Sequence, residues 1–169
     1  MPMSEYMRDL RSRVGNRLLA VPAVSIITRD ERGRVLLVQH ENEKVWVVPG
    51  GAVEPNEVPA EAAAREMWEE TGLKVDLVRI VGVYGGPEFV VTYGNGDQCS
   101  YLTVVFEGLP TGGQLRPDGI ETLDVRYFAR EEVAKVRTPV WLEEVLRDVF
   151  DGPGATAFRP SGWAPPGAA

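Results

Sequence analysis

Three glutamates stand within five residues in the run Arg65-Glu66-Met67-Trp68-Glu69-Glu70. On an α-helix each residue turns the chain by about 100°. With Ala60 set at zero, Glu66, Glu69 and Glu70 share an arc of about 100°. Ala63, Ala64, Met67, Trp68 and Thr71 take the other side. The spacing therefore predicts a helix with one apolar face and one carboxylate face. Like charges three and four residues apart repel by a few tenths of a kcal/mol (roughly) per exposed pair. A cation that joins them reverses the sign. Carboxylate oxygens are hard donors, suited to Mg²⁺, Mn²⁺ or Ca²⁺. A solvated acidic face is the plain alternative, and three neighbours argue against it. Pro49-Gly50-Gly51 precedes the helix, so backbone can come close to a ligand. Glu57 stands where loop meets helix. Arg65 borders the acidic face, able to orient or neutralise a carboxylate, or to pair with Glu61 one turn back.

Residues 51–73 read GAVEPNEVPAEAAAREMWEETGL. This segment resembles the Nudix box, G-x5-E-x7-R-E-U-x-E-E-x-G-U with U a bulky apolar residue. Gly51, Glu57, Arg65, Glu66, Met67, Glu69, Glu70, Gly72 and Leu73 fill every defined position. The resemblance implies an α+β fold, the Nudix α/β/α sandwich with a mixed sheet and one catalytic helix. It also implies Mg²⁺- or Mn²⁺-dependent hydrolysis of a nucleoside diphosphate linked to another moiety. By that resemblance Glu66, Glu69 and Glu70 bind the metal and serve catalysis, with the Gly51 carbonyl as a further ligand. Glu57 and Arg65 would hold those ligands in place. Water attacks phosphorus, the metal neutralises phosphate oxygens and acidifies the water, and one carboxylate or a loop glutamate takes the proton. One local departure is Val58 before Pro59. Proline suits a first helical turn, but valine cannot cap one.

Many members of the family carry a further glutamate on a loop after the box. Candidates are Glu88, Glu107 and Glu121. Glu121 ends the loop Arg116-Pro117-Asp118-Gly119-Ile120-Glu121 just before a strand and is read as catalytic. Glu88 and Trp46 are read as substrate-binding. Trp46 could stack on a base or simply pack at a strand end. His40 reads as a strand-end surface residue and Cys99 as core. ADP-ribose hydrolases of the family carry a proline beyond the box, but Pro87, fourteen residues past Leu73, is out of register. The chain resembles a broad bacterial subgroup called MutT-like or ADP-ribose pyrophosphatase-like, a label that settles no substrate. A different class stays open, a non-catalytic nucleotide sensor on the same fold, although sensors usually carry a degraded box.

Elements that could position these residues follow from the pattern. Ser4–Val14 reads as an amphipathic helix with Ser4 as N-cap. Ala23–Thr28, Arg34–His40, Val75–Tyr84 and Asp124–Phe128 read as strands. Phe89–Tyr93 and Cys99–Glu107 flank a Gly-Asn-Gly-Asp turn, a hairpin signal. Pro59–Thr71 is the acidic helix, ended by Gly72. Arg130–Val133 and Val140–Phe150 read as helices. The expected organisation is a helical extension over 1–16, a hydrolase domain over 17–150, and a flexible Gly/Pro/Ala-rich tail over 151–169. The 169 residues carry a net charge of −7 and one cysteine. An acidic chain is a poor holder of nucleic acid. No run approaches the roughly 18 apolar residues of a membrane span. The expected partner is a small-molecule nucleotide, with no nucleic acid or membrane. The expected compartment is the cytoplasm, and the expected assembly a homodimer through the N-terminal helix.

Overall fold

The structure is a computed structural model that describes residues 3–41, 44–152, 154–161 and 163. Helix α1 spans Glu5–Val14 and is followed by strands β1 (Leu19–Ile27), β2 (Val35–His40), β3 (Trp46–Val47) and β4 (Gly50–Ala52). Helix α2 (Pro59–Thr71) leads into β5 (Leu73–Tyr84), a short 3₁₀ turn (Pro87–Phe89), β6 (Val90–Thr92) and β7 (Gln98–Gly113). Then come β8 (Thr122–Phe128), α3 (Arg130–Val133), α4 (Val140–Asp151) and β9 (Ala157–Phe158). One mixed sheet has the order β4-β1-β7-β5-β9, with β6 also on β7; a second has the order β3-β2-β8. β1 runs parallel to β7, while β4, β5 and β6 join antiparallel.

Alternation along the strands sends side chains to two cores. Val24, Ile26, Leu36 and Val38 pack with Ala62, Ala63 and Met67 of α2. Ile27, Val35, Leu37, Val81 and Val105 pack with Leu142, Val145, Leu146 and Val149 of α4. The result is the expected α/β/α sandwich, with α2 on one face and α4 on the other. Each fully buried aliphatic side chain contributes about 1.5–3 kcal/mol.

Several expectations need correction. β1 begins at Leu19, and β7 runs on to Gly113, because β5 starts directly after Gly72 and pairs Leu73 with Gly113. Gly72 makes this possible by turning left-handed (φ 69°) as its N–H bonds Trp68 O. The strand expected over Phe89–Tyr93 is shorter, because Pro87 opens a 3₁₀ turn that buries Phe89. Trp68 was placed on the core face and is instead 43% exposed, under the Lys74 ammonium. The buried arc of α2 is Ala62, Ala63, Glu66, Met67, Glu70 and Thr71, so two of the glutamates face inward. The tail is not wholly loose. Ala157–Phe158 pairs in parallel with Gly82–Val83, Arg79 donates to Ala155 O, and Arg159 reaches Glu144. Residues 164–169 of that tail lie outside the described residues.

Helix α1 is tied to its own domain. Arg11 is 9% exposed. It donates to Gly15 O, Arg17 O, Gln98 O and Cys99 Sγ and pairs with Asp97 at 3.5 Å. The Ser4 cap and the Asp9–Arg13 pair both form. Among the described residues no helix is long and apolar enough to cross a membrane.

Candidate active site

The site begins with close approach of backbone and carboxylate. β4 presents Gly50 and Gly51 to the inward face of α2. A Cβ on Gly51 would sit 2.4 Å from Glu66 Oε1, so only glycine lets the Glu66 carboxylate press on the strand. Gly50 N–H donates to Glu70 Oε2 at 3.0 Å. Glu70 and Glu66 are 4% and 6% exposed. Burial pushes the Glu70 carboxyl up to about 8, against the lowering effect of the Gly50 N–H, with the Glu66 and Asp118 charges adding to the rise. Burial also raises Glu66, opposed by Arg65. Glu69 is more open, with its side chain 37% exposed.

Arg65 organises the entry to this cluster. Its guanidinium grips Glu57 through two bonds, 2.8 and 2.9 Å, and donates to Glu66 at 2.7 Å, Glu69 at 3.1 Å and Ala52 O at 3.2 Å. Glu57 also takes the Glu54 N–H, which lowers its carboxyl along with the larger effect of Arg65. The guanidinium is held above its ordinary value, chiefly by Glu57. The alternative Arg65–Glu61 pair is thus replaced by this fork, which suits a planar guanidinium.

The structure brings Gly51, Glu57, Arg65, Glu66, Glu69 and Glu70 together, but not as a closed ligand sphere. Among the described residues no group of three or more His, Cys, Asp or Glu side chains converges as a metal-holding set. Arg65 occupies Glu66 and Glu69, and Glu70 turns to Gly50.

The residues expected outside the box stand in four different surroundings. Trp46 is 5% exposed, edge-on to Phe128 with ring centroids 4.6 Å apart, and the Arg126 guanidinium covers it at 4.8 Å. Of the two readings of Trp46, these contacts are those of packing at a strand end. Glu88 sits in the 3₁₀ turn and pairs with Arg159 at 3.4 Å; it lines a cleft with Tyr84, Arg147 and Asp148 that contains no box residue. Glu107 bridges Arg29 and Arg79. Glu121 is half-buried, its carbonyl accepting Glu41 N–H at 2.8 Å and its N–H bonded to Asp118.

Two further residues, His40 and Asp118, act on this cluster. His40 Nε2 lies 3.5 Å from Glu70 Oε1. Burial lowers the imidazole below its ordinary range and raises Glu70, so both partners of this contact are pushed toward their neutral forms. The signal was the period of two, since His40 shares a strand face with Leu36 and Val38, which pack toward α2. Asp118 acts on both partners, its charge raising Glu70 and His40 alike.

The sequence model of the NUDIX domain matches residues 19–149. A MutT-like protein of Streptomyces ambofaciens is 30% identical over 88% of each chain. A putative 8-oxo-dGTP diphosphatase of Bacillus subtilis is 37% identical over 62% of this chain and 63% of its own length. The crystal structure of a NUDIX hydrolase from Nitrosomonas europaea superposes with a TM-score of 0.66 at 26% identity, covering 82% of this chain and 76% of that one. An intact box on an α/β/α sandwich, matched over most of the chain, places the protein in the Nudix family of pyrophosphohydrolases.

Proposed function

We propose that this enzyme hydrolyses the diphosphate bond of a nucleoside diphosphate linked to another moiety, a nucleoside triphosphate or an ADP-ribose-like substrate, using Mg²⁺ or Mn²⁺. One observation carries the reading. Two buried carboxylates, Glu66 and Glu70, are pressed against the Gly50–Gly51 backbone, Glu66 beneath the Arg65 guanidinium and Glu70 on the Gly50 N–H. Burial pushes both carboxyls toward the neutral acid, and a cation bound beside them would offset the cost of their ionised forms.

The donor set fits a hard divalent cation. Glu66, Glu69, Glu70 and the Gly51 carbonyl are all oxygen donors, the chemistry of Mg²⁺ and Mn²⁺. Such an ion, when bound, would neutralise phosphate oxygens and make water more acidic. The protein's own part is positional. Glu57 holds Arg65, Arg65 holds Glu66 and Glu69, and Gly50 N–H holds Glu70, so the carboxylates present a fixed oxygen surface to the diphosphate. The proton acceptor is Glu69, the most open of the three, or Glu121 at the loop end. An acidic surface then admits an anionic substrate only where cations bridge the two.

The test is a hydrolysis panel of nucleoside triphosphates, 8-oxo-dGTP, ADP-ribose and UDP-linked sugars with Mg²⁺, Mn²⁺ or excess chelator. Metal-dependent release of a phosphate or nucleotide product from at least one compound is expected. Turnover unaffected by chelator, or none with any compound, overturns the reading. A homodimer is proposed alongside it, supported by Tyr6, 53% exposed on α1. Deleting residues 1–16 should leave a monomer by light scattering, and an unchanged oligomer would remove the dimer role of α1.

A further inference from the structure

The loop before β8 is folded by one side chain. Asp118 Oδ1 accepts the backbone N–H of Ile120 at 2.9 Å, Glu121 at 3.1 Å and Thr122 at 2.9 Å. Gly119 N–H closes the turn on Thr122 O at 3.1 Å. The turn delivers Thr122 to a specific partner. Thr122 pairs with His40, where the β2–β8 register shifts between Gln39 and His40. Glu41 N–H adds a bond to Glu121 O at 2.8 Å. Residues paired across a ladder put their side chains on the same face, and on that face His40 Nε2 lies 3.5 Å from Glu70 Oε1.

Thr122's own side chain does not explain its place. Its hydroxyl is fully buried and without a hydrogen-bond partner, an arrangement that costs stability. What fixes Thr122 is the backbone turn, and what fixes the turn is Asp118.

We propose that Asp118 is a positioning residue: by folding residues 118–122, it fixes Thr122 beside His40 and so holds the imidazole against Glu70. As a statement about catalysis this rests on the proposed diphosphate hydrolysis. As a statement about His40 it does not. Asp30 offers an internal comparison. Its Oδ1 accepts the N–H of Arg32 and Arg34 in the turn at the other end of β2, so it performs the same local task away from Glu70.

The chain has one histidine, so the imidazole NMR signals report His40 without ambiguity. Asp118→Ala should move those signals and lower kcat by about tenfold or more, the scale of a misplaced catalytic group, with KM nearly unchanged. Asp118→Asn should restore both, with the His40 signals read above the range in which the imidazole titrates so that the lost charge does not move them, because an amide oxygen accepts the same N–H groups. Asp30→Ala should lower the melting temperature while leaving the His40 signals and kcat in place. If Asp118→Ala does not fold, Asp118→Ser is read instead, its shorter acceptor reaching fewer of the three N–H groups. Unmoved His40 signals in the Ala or Ser variant overturn the proposal. So does an Asn variant as impaired as the Ala one, since charge would then matter and not the turn. If the wild type hydrolyses no diphosphate, the functional reading falls while the NMR result still decides the positioning role.

Discussion

Helices α2 and α4 cover opposite faces of the same sandwich and bury different things. α4 buries Leu142, Val145, Leu146 and Val149, all apolar. α2 buries Ala62, Ala63 and Met67 in the same manner, then adds Glu66, Glu70 and Thr71. An aliphatic side chain gains from leaving water, whereas a carboxylate loses unless something compensates it. α4 is therefore a helix shaped by stability. α2 carries buried carboxylates that cost stability, a pattern expected where sequence-level rules break at a functional site.

The comparison breaks first at the carboxylates. Glu69→Gln should leave the melting temperature unchanged or slightly raised and cut kcat by about two to three powers of ten, or roughly 3–4 kcal/mol. Near-normal kcat at saturating metal would remove Glu69 from the site. On the other face, Leu142→Ala empties a fully buried position and should cost about 2–5 kcal/mol. Melting should show that loss, while the metal requirement of the remaining activity stays as it was. A variant that melts like the wild type would contradict the assignment of that core.

A smaller effect follows from the Glu70 proton. Its carboxyl is raised to about 8 from an ordinary 4.5, so the folded state holds the proton more tightly than the unfolded one. That contribution is complete below about pH 4.5 and is lost as pH rises through about 8, with a slope of at most about 1.4 kcal/mol per pH unit. Denaturant melts in excess chelator should show stability falling across this window in the wild type and a flatter profile in Glu70→Gln. Equal slopes would mean that Glu70 is not the titrating group. The smallest effect is at Trp68. Since the ring is exposed, Trp68→Ala should change stability by only about 0.5 kcal/mol. A loss of several kcal/mol (roughly the scale of a core truncation) would return Trp68 to the core.

The sequence carried the chemistry better than the placement. The box residues lie together on α2 and β4 because local spacing sets both the helix turn and the glycine entry. The helical wheel also separated Met67 from Glu69. It misplaced Trp68, because a wheel gives angles but not which arc the sheet covers; Glu66 and Glu70 take the arc that an apolar count would assign to Trp68 and Ala64. The surroundings of Trp46 were not legible because its burial depends on Phe128 and Arg126, which are distant in sequence. His40 and Asp118 were underweighted for the same reason. Their link to Glu70 runs through a β2–β8 register and a turn of backbone bonds, and neither leaves a local mark on composition. The fold class was legible from the box and from alternating strands, whereas the docking of 155–159 on β5 required knowing that this sheet edge was open.

The divalent-cation site is proposed at the carboxylates that α2 buries against Gly50–Gly51. It is tested most directly by titrating Mn²⁺ into the wild type and into a Glu66→Gln/Glu70→Gln variant, following free Mn²⁺ by electron paramagnetic resonance. Circular dichroism would confirm that both are folded. The wild type should bind Mn²⁺, and the variant should stay folded, melt no lower in chelator and lose that binding. A folded variant that takes up Mn²⁺ as the wild type does would contradict the account.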